Sequence, residues 1–341
     1  MTSSNLATPK RSVVLHSPAL YLGSIEVCET GKRAGQTPFS GTRLKALVFP
    51  ALYWLIRHLP TGVAVLPARL MVALLRVSYR RPGNRLRNAC EAVTGLPGQH
   101  LSGDRDARQV YSRFLRNALG VIENFFALYR HGHATVLRDI KMARDDIEMI
   151  ERLIDVHGGA ILAVPHNVGS ALCALRIGHS FDMLLVAKNS PTVSRTRIAL
   201  DFYERMKVSV LMVRGGNAYE LSKVMFSVLK QKKLLAATLD NVDRTGHSIR
   251  VRMFGQEVGF SGWAARIAAR MQVPLIPAWF QACGREQQVI IGEAIVTQDA
   301  RAAVQHYAQF FEQQILRDPA SWAYLADKHW QAVLQRAAAT D

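Results

Sequence analysis

The stretch AILAVPHNVGSALCAL (Ala160–Leu175) sets one imidazole, His166, between a short apolar run and a segment of helical character. A histidine so placed can take a proton from a hydroxyl near neutral pH, which is what turns a poor nucleophile into a useful one. Gly169 and Ser170 would fall in the first turn of the following helix, where free N–H groups suit a phosphate or a developing oxyanion. Asp240 directly follows the apolar run LLAATL and reads either as a carboxylate partner or as a turn cap. Lys188, just after MLLVA, reads as an anchor for a phosphate or carrier, or as a solvated lysine. Ser261, in FGQEVGFSGWAARIA, stands near the start of a helical stretch as a cap or substrate contact. Cys28, Cys90, Cys173 and Cys283 are widely spaced and form no CxxC, and no His/Cys cluster has ligand spacing, so no zinc site is expected.

Such residues need a frame that presents them on one edge. From about Gly158 onward, short apolar runs (AILAV, MLLVA, VSVLMV, LLAATL, PLIPAWF, QVIIG) alternate with helical stretches such as AYELSKVMFSVLKQKK. That alternation predicts an α/β fold with a mostly parallel central sheet flanked by helices, and runs this apolar predict strands covered on both faces. Ligands of such sheets bind at the carboxyl ends of the strands, where His166, Lys188 and Asp240 all fall. Between about Leu44 and Leu153 the pattern is helical, with Val110, Phe114, Leu115, Ala118, Val121 and Ile122 on one face. The expected organisation is a flexible tail over 1–42, a helical membrane-associated region over 43–153 and an α/β domain over 154–335.

The 341 residues carry 43 Lys+Arg against 26 Asp+Glu, a net charge of +17 that calls for a polyanionic partner. Arg69, Arg76, Arg80, Arg81, Arg85 and Arg87 form a run without an acid, directly beyond the most apolar stretch, Leu44–Leu75. Apolar residues beside arginines fit an anionic lipid interface better than a nucleic-acid groove, and no nucleic-acid-binding motif is present. Lys45, Arg57 and Arg69, with Pro50, Pro60 and Pro67, interrupt the stretch. It therefore reads as two short interfacial or re-entrant helices, the alternative being a buried helical pair of the core. The N-terminus MTSSNLATPKRSVV has no apolar core with a small-residue cleavage site, and with the cysteine usage this predicts a reduced, cytosolic compartment.

Several blocks, in order, carry a family resemblance. They are Arg87-Asn88 in RRPGNRLRNACEAV, the strand-then-histidine block GGAILAVPHNVGSAL, Lys188 in LLVAKN, KKLLAATLDNVD, MFGQEVGFSGWAARIAARMQVPLIPAWF and SWAYLADKHW. Their order over roughly Leu44 to Trp330 resembles the bacterial late acyltransferases of lipid A biosynthesis, within the lysophospholipid acyltransferase superfamily. The resemblance implies transfer of a fatty acyl group from a thioester donor, acyl carrier protein or coenzyme A, to a hydroxyl or amine of a lipid acceptor. It implies His166 as general base, no cofactor, and work at the cytoplasmic face of the bacterial inner membrane.

One departure from the family pattern concerns the chemistry itself. The family histidine is followed, after four residues, by Asp or Glu, which holds the imidazole in the right tautomer; here that place is Ala171. Asp240 is the preferred substitute, as it ends a neighbouring strand and faces the same crevice on this reading, and Ser170 is a weaker one. Lys188 stands where the family has an arginine, which keeps the charge without the bidentate geometry. The alternative to an active enzyme is a degenerate relative that binds acyl chains or acyl carrier protein without transfer.

Overall fold

The computed structural model describes residues 11–29, 51, 54, 58–97, 106–213 and 218–339. Its centre is a seven-stranded sheet of order β3-β11-β10-β4-β7-β5-β6, formed by β3 (Ile140–Met142), β4 (Ala160–Val164), β5 (Met183–Ala187), β6 (Ser209–Met212), β7 (Leu234–Thr238), β10 (Leu275–Cys283) and β11 (Glu286–Ile291). Every pairing is parallel except β10 with β11. This is the α/β architecture with a mostly parallel sheet that the alternating texture predicts.

Alternate residues of the central strands feed two separate layers. Ile161, Ala163, Leu235, Ala237 and Leu275 point into one core, closed by the helices Arg85–Thr94, Ala218–Lys230, Trp263–Met271, Ala300–Arg317 and Lys328–Ala338. Ala160, Leu162, Val164, Leu234, Ala236, Ile276 and Ala278 point into the other, against the helices Arg144–His157, Ser170–Ser180 and Val193–Met206. Both faces of β4 are thus dry, which explains its unbroken apolar sequence. The long amphipathic helix Ala107–His131 reaches both cores, with Val110, Tyr111 and Leu115 in the first and Ala127 and Leu128 in the second.

Two parts of the expected organisation are corrected. Residues 11–29, assigned from sequence to a flexible tail, contain β1 (Arg11–His16) and β2 (Ser24–Glu29), paired as an antiparallel hairpin. Leu15, Ala19, Leu20 and Val27 of this hairpin pack on Leu200, Val210 and Met212, and Tyr21 N donates to Val210 O at 3.0 Å. The apolar alternation is only a few residues long, too short to stand out from a Ser/Thr/Gly-rich background. The stretch 43–153, expected to be helical, also contributes β3, whose three residues alternate buried, exposed, buried. Three residues show no period in a sequence, and β3 is recognisable only from its parallel pairing with β11.

Of the apolar Leu44–Leu75 stretch, most of the first half lies outside the described residues. The second half is the helix Thr61–Val77, with Pro67 in its first two turns. It buries Ala64, Val65, Ala68 and Val72, with Ala64 and Val65 packed on Phe126 of the Ala107–His131 helix. Its other side leaves Val63, Leu66, Leu70, Met71, Leu74 and Val77 exposed. The helix is therefore neither wholly buried nor free. The segment Gly62–Arg80 is long and apolar enough to cross a membrane, by length and composition.

Candidate active site

The backbone places His166 before any side chain does. The β4 strand ends at Val164, and past Pro165 the chain is captured on one side by the segment Asp318–Ala326. His166 O accepts from Ala323 N at 2.7 Å, and Val168 N donates to Ser321 O at 2.8 Å. Asn167, buried, reaches both ways: its Oδ1 accepts from Phe280 N of β10 at 3.2 Å, and its Nδ2 donates to Ser321 O at 3.3 Å. Ser321 Oγ in turn accepts from Ala282 N at 2.8 Å and donates to Asp318 Oδ2 at 2.5 Å, while Arg113 pairs with Asp318. Buried polar groups held at both ends in this way fix a loop in one conformation.

On the other side of β4, Leu239 N donates to Val164 O at 2.8 Å, continuing the β4–β7 ladder one residue past the strand. That register sets Asp240 beside His166, and Asp240 Oδ1 lies 2.5 Å from His166 Nδ1. Asp240 is fully buried, whereas the His166 side chain is 28% exposed. The second carboxylate oxygen, Oδ2, accepts from Trp322 Nε1 at 3.0 Å, and Asp240 O accepts from Trp330 Nε1 at 2.9 Å. With a carboxylate that can only accept, Nδ1 must carry a proton, which leaves the Nε2 lone pair as the basic position.

Tyr324 completes the cluster. Its Oη is 3.1 Å from His166 Nε2 and donates to Asn241 Oδ1 at 2.8 Å. The phenol and imidazole rings are nearly parallel, at 14° with centroids 4.0 Å apart. Burial, then the charges of Asp240 and Asp327, push the phenol well above its ordinary range, so it stays a neutral O–H.

The sequence-predicted residues fare differently. His166 and Asp240 are in direct contact, and Lys188 lies exposed at the end of β5, which neighbours β7, so all three share one sheet edge. Gly169 and Ser170 do start the Ser170–Ser180 helix, but the polar groups of Ser170 are already engaged within the turn. Ser170 N donates to Asn167 O at 3.2 Å, and Ser170 Oγ donates to the same oxygen at 2.8 Å while accepting from Asn167 N at 2.7 Å. Ser170 shapes the turn that carries His166 and does not orient the imidazole. Gly169 has φ +90°, a conformation that favours glycine, and a Cβ there would displace the end of the Gln287 side chain. Ser261 is not the cap: Gly262 occupies that position of the Trp263–Met271 helix, without a side-chain hydrogen bond. Ser261 is half-buried just after the strand Gln256–Phe260, and no hydrogen bond joins it to His166 or Asp240 among the described residues.

Ala171 packs against the second core. A carboxylate in its place would leave water next to apolar side chains, at about 1–3 kcal/mol, while Nδ1 already has an acceptor. Ala171→Glu is expected to lower the melting temperature without raising the rate of any His166-dependent reaction; a large gain in rate would show that Asp240 does not serve the imidazole.

Tyr324, Asn241, Trp322, Trp330 and Asn167 are the members of the cluster that sequence reasoning does not single out. Two signals were there: Asn241 adjoins Asp240, and the aromatic residues crowd into SWAYLADKHW.

The structure is thus an α/β fold whose mostly parallel sheet carries a histidine–carboxylate pair at the carboxyl ends of its strands. The family profile described as bacterial lipid A biosynthesis acyltransferase matches residues 102–331, and the chain belongs to that family. It is an acyltransferase. It is 23% identical over 307 residues to a phosphatidylinositol mannoside acyltransferase of Mycolicibacterium smegmatis, covering 88% of this chain and 96% of that protein. A phosphatidylinositol mannoside acyltransferase of Mycobacterium tuberculosis is 23% identical over 212 residues, 61% of this chain and 66% of the relative.

Proposed function

We propose that this acyltransferase moves a fatty acyl group from an acyl carrier protein or coenzyme A thioester to a hydroxyl of a membrane glycolipid. His166 is the general base and Asp240 the group that orients it. Nε2 takes the proton of the acceptor hydroxyl, the oxygen attacks the thioester carbon, and collapse of the tetrahedral adduct breaks the C–S bond. The imidazolium then returns its proton to the departing thiolate. Asp240 stabilises the imidazolium in between, the part the triad carboxylate plays in serine hydrolases.

The observation that carries this reading is the 2.5 Å contact between a fully buried carboxylate and Nδ1 of a partly exposed imidazole. It also weakens the degenerate-relative alternative, whose main support is Ala171. The names of the mycobacterial relatives favour a sugar hydroxyl on a phosphoinositide-type lipid over other acceptors.

The exposed side of the Thr61–Val77 helix supports work at a membrane surface. Each of its leucines would gain about 1.5–3 kcal/mol on leaving water, which outweighs the modest cost of bringing one surface-paired arginine, Arg69 with Glu123, to the interface. Arg76, Arg80 and Arg81 at the end of that helix suit anionic headgroups. On this reading the chain sits on the cytoplasmic face of the inner membrane, where thioester donors are made. Mass spectrometry of lipids from cells with and without the chain tests the function. A glycolipid species heavier by one acyl group is expected only when the chain is present, and identical lipid profiles would refute the proposal.

A further inference from the structure

Attack on a thioester puts a negative charge on the carbonyl oxygen, and a site that stabilises the transition state needs a donor aimed at it. Of the donors expected from sequence, the N–H and hydroxyl of Ser170 are both engaged with Asn167. A different donor stands at the imidazole, the Tyr324 hydroxyl, 3.1 Å from Nε2.

The ring geometry decides what that hydroxyl can do. The Nε2 lone pair lies in the plane of the imidazole. Tyr324 is stacked over the ring, at 14° and 4.0 Å between centroids, so its Oη sits above Nε2 and not in line with the lone pair. The imidazole is 28% exposed, and on this proposal an incoming hydroxyl meets Nε2 in the ring plane. An acceptor oxygen bound there, and the carbonyl carbon it attacks, come next to Oη.

We propose that the Tyr324 hydroxyl is the oxyanion donor of this acyltransferase, held ready by Asn241. The proposal rests on His166 being the base. In the resting state the phenol proton goes to the neutral amide oxygen of Asn241, at 2.8 Å. As the tetrahedral adduct forms, the charged oxygen becomes the better acceptor and the O–H turns to it; the proton stays on Oη throughout, and no bond to Tyr324 is made or broken. A hydrogen bond to a charged acceptor is about twice as strong as one between neutral groups, so the interaction favours the transition state over the ground state. The neutral state of this half-buried phenol suits a donor and not a nucleophile.

The test uses the full chain in vesicles of total lipid from the cells that express it, with palmitoyl-coenzyme A as donor and release of the thiol as readout. Tyr324→Phe keeps the stacked ring and is expected to lower kcat by about 10²–10³-fold, with KM for palmitoyl-coenzyme A and the melting temperature unchanged. A rate equal to the parent's overturns the proposal, and a faster one shows that the phenol obstructs Nε2. Asn241→Asp, which leaves Tyr324 intact but offers its proton a charged acceptor in competition with the oxyanion, should also lower kcat at unchanged KM. An unaltered rate in that variant likewise counts against the donor role. Equal release by the parent and His166→Gln would instead refute the base assignment itself, so the two failures are distinguishable.

Discussion

Asp240→Asn is expected to reduce acyl transfer by about 10³–10⁴-fold while leaving the fold intact, the scale seen when the analogous carboxylate of a serine-protease triad is made an amide. The reason lies in the partners of its two oxygens. Trp322 Nε1 donates to Oδ2 at 3.0 Å from a fully buried ring, and an indole N–H has no other way to be satisfied. An asparagine has one acceptor oxygen and will turn it to the indole, leaving its NH₂ facing His166. Nδ1 must then accept instead of donate, and the ring proton moves to Nε2. The imidazole stays in place, in the tautomer that cannot take a proton from the acceptor. Assay of purified Asp240→Asn for thioester-dependent lipid acylation, with its melting temperature beside that of the parent, checks both halves. Retention of more than a tenth of the parent rate would mean that Nδ1 protonation is set by another group.

The same pair shows how much of this site a sequence discloses. A strand ends at Val164 because Pro165 cannot extend the ladder, and the apolar runs around it report burial on both faces; these are local properties, and the fold class follows from them. That Asp240 lies beside His166, 74 positions away, depends on β7 inserting between β4 and β5. Strand order is not written in any one strand, so sequence could prefer Asp240 as the partner of His166 from its place at a strand end but could not fix the contact. The Tyr324–Asn241–Trp322–Trp330 surround was less legible still, because it depends on the Asp318–Ala326 segment folding back over the edge through Arg113, Asn117 and Asn167. Gly169 and Ser170 mark the opposite limit. Their types fit an anion-binding turn, and only the short distances to Asn167 reveal that the polar groups of Ser170 are already engaged.

His166→Gln is expected to be the most damaging single change, lowering transfer by at least about 10³-fold, because glutamine can still hydrogen-bond but has no basic nitrogen, and a general base contributes about 10²–10⁴ before its loss also idles the groups that act through it. Asp240 is such a group. Its two oxygens meet His166 and Trp322, so its effect on the reaction must pass through the imidazole. Once His166 is gone, removing the carboxylate should matter little: the double variant His166→Gln/Asp240→Asn is expected within about threefold of His166→Gln alone, far from the product of the two single losses. Rates for the parent, both single variants and the double variant form a complete cycle. Multiplying losses would mean that Asp240 meets the substrate independently, and that the edge of this sheet holds two separate catalytic groups instead of one imidazole and the carboxylate that sets its tautomer.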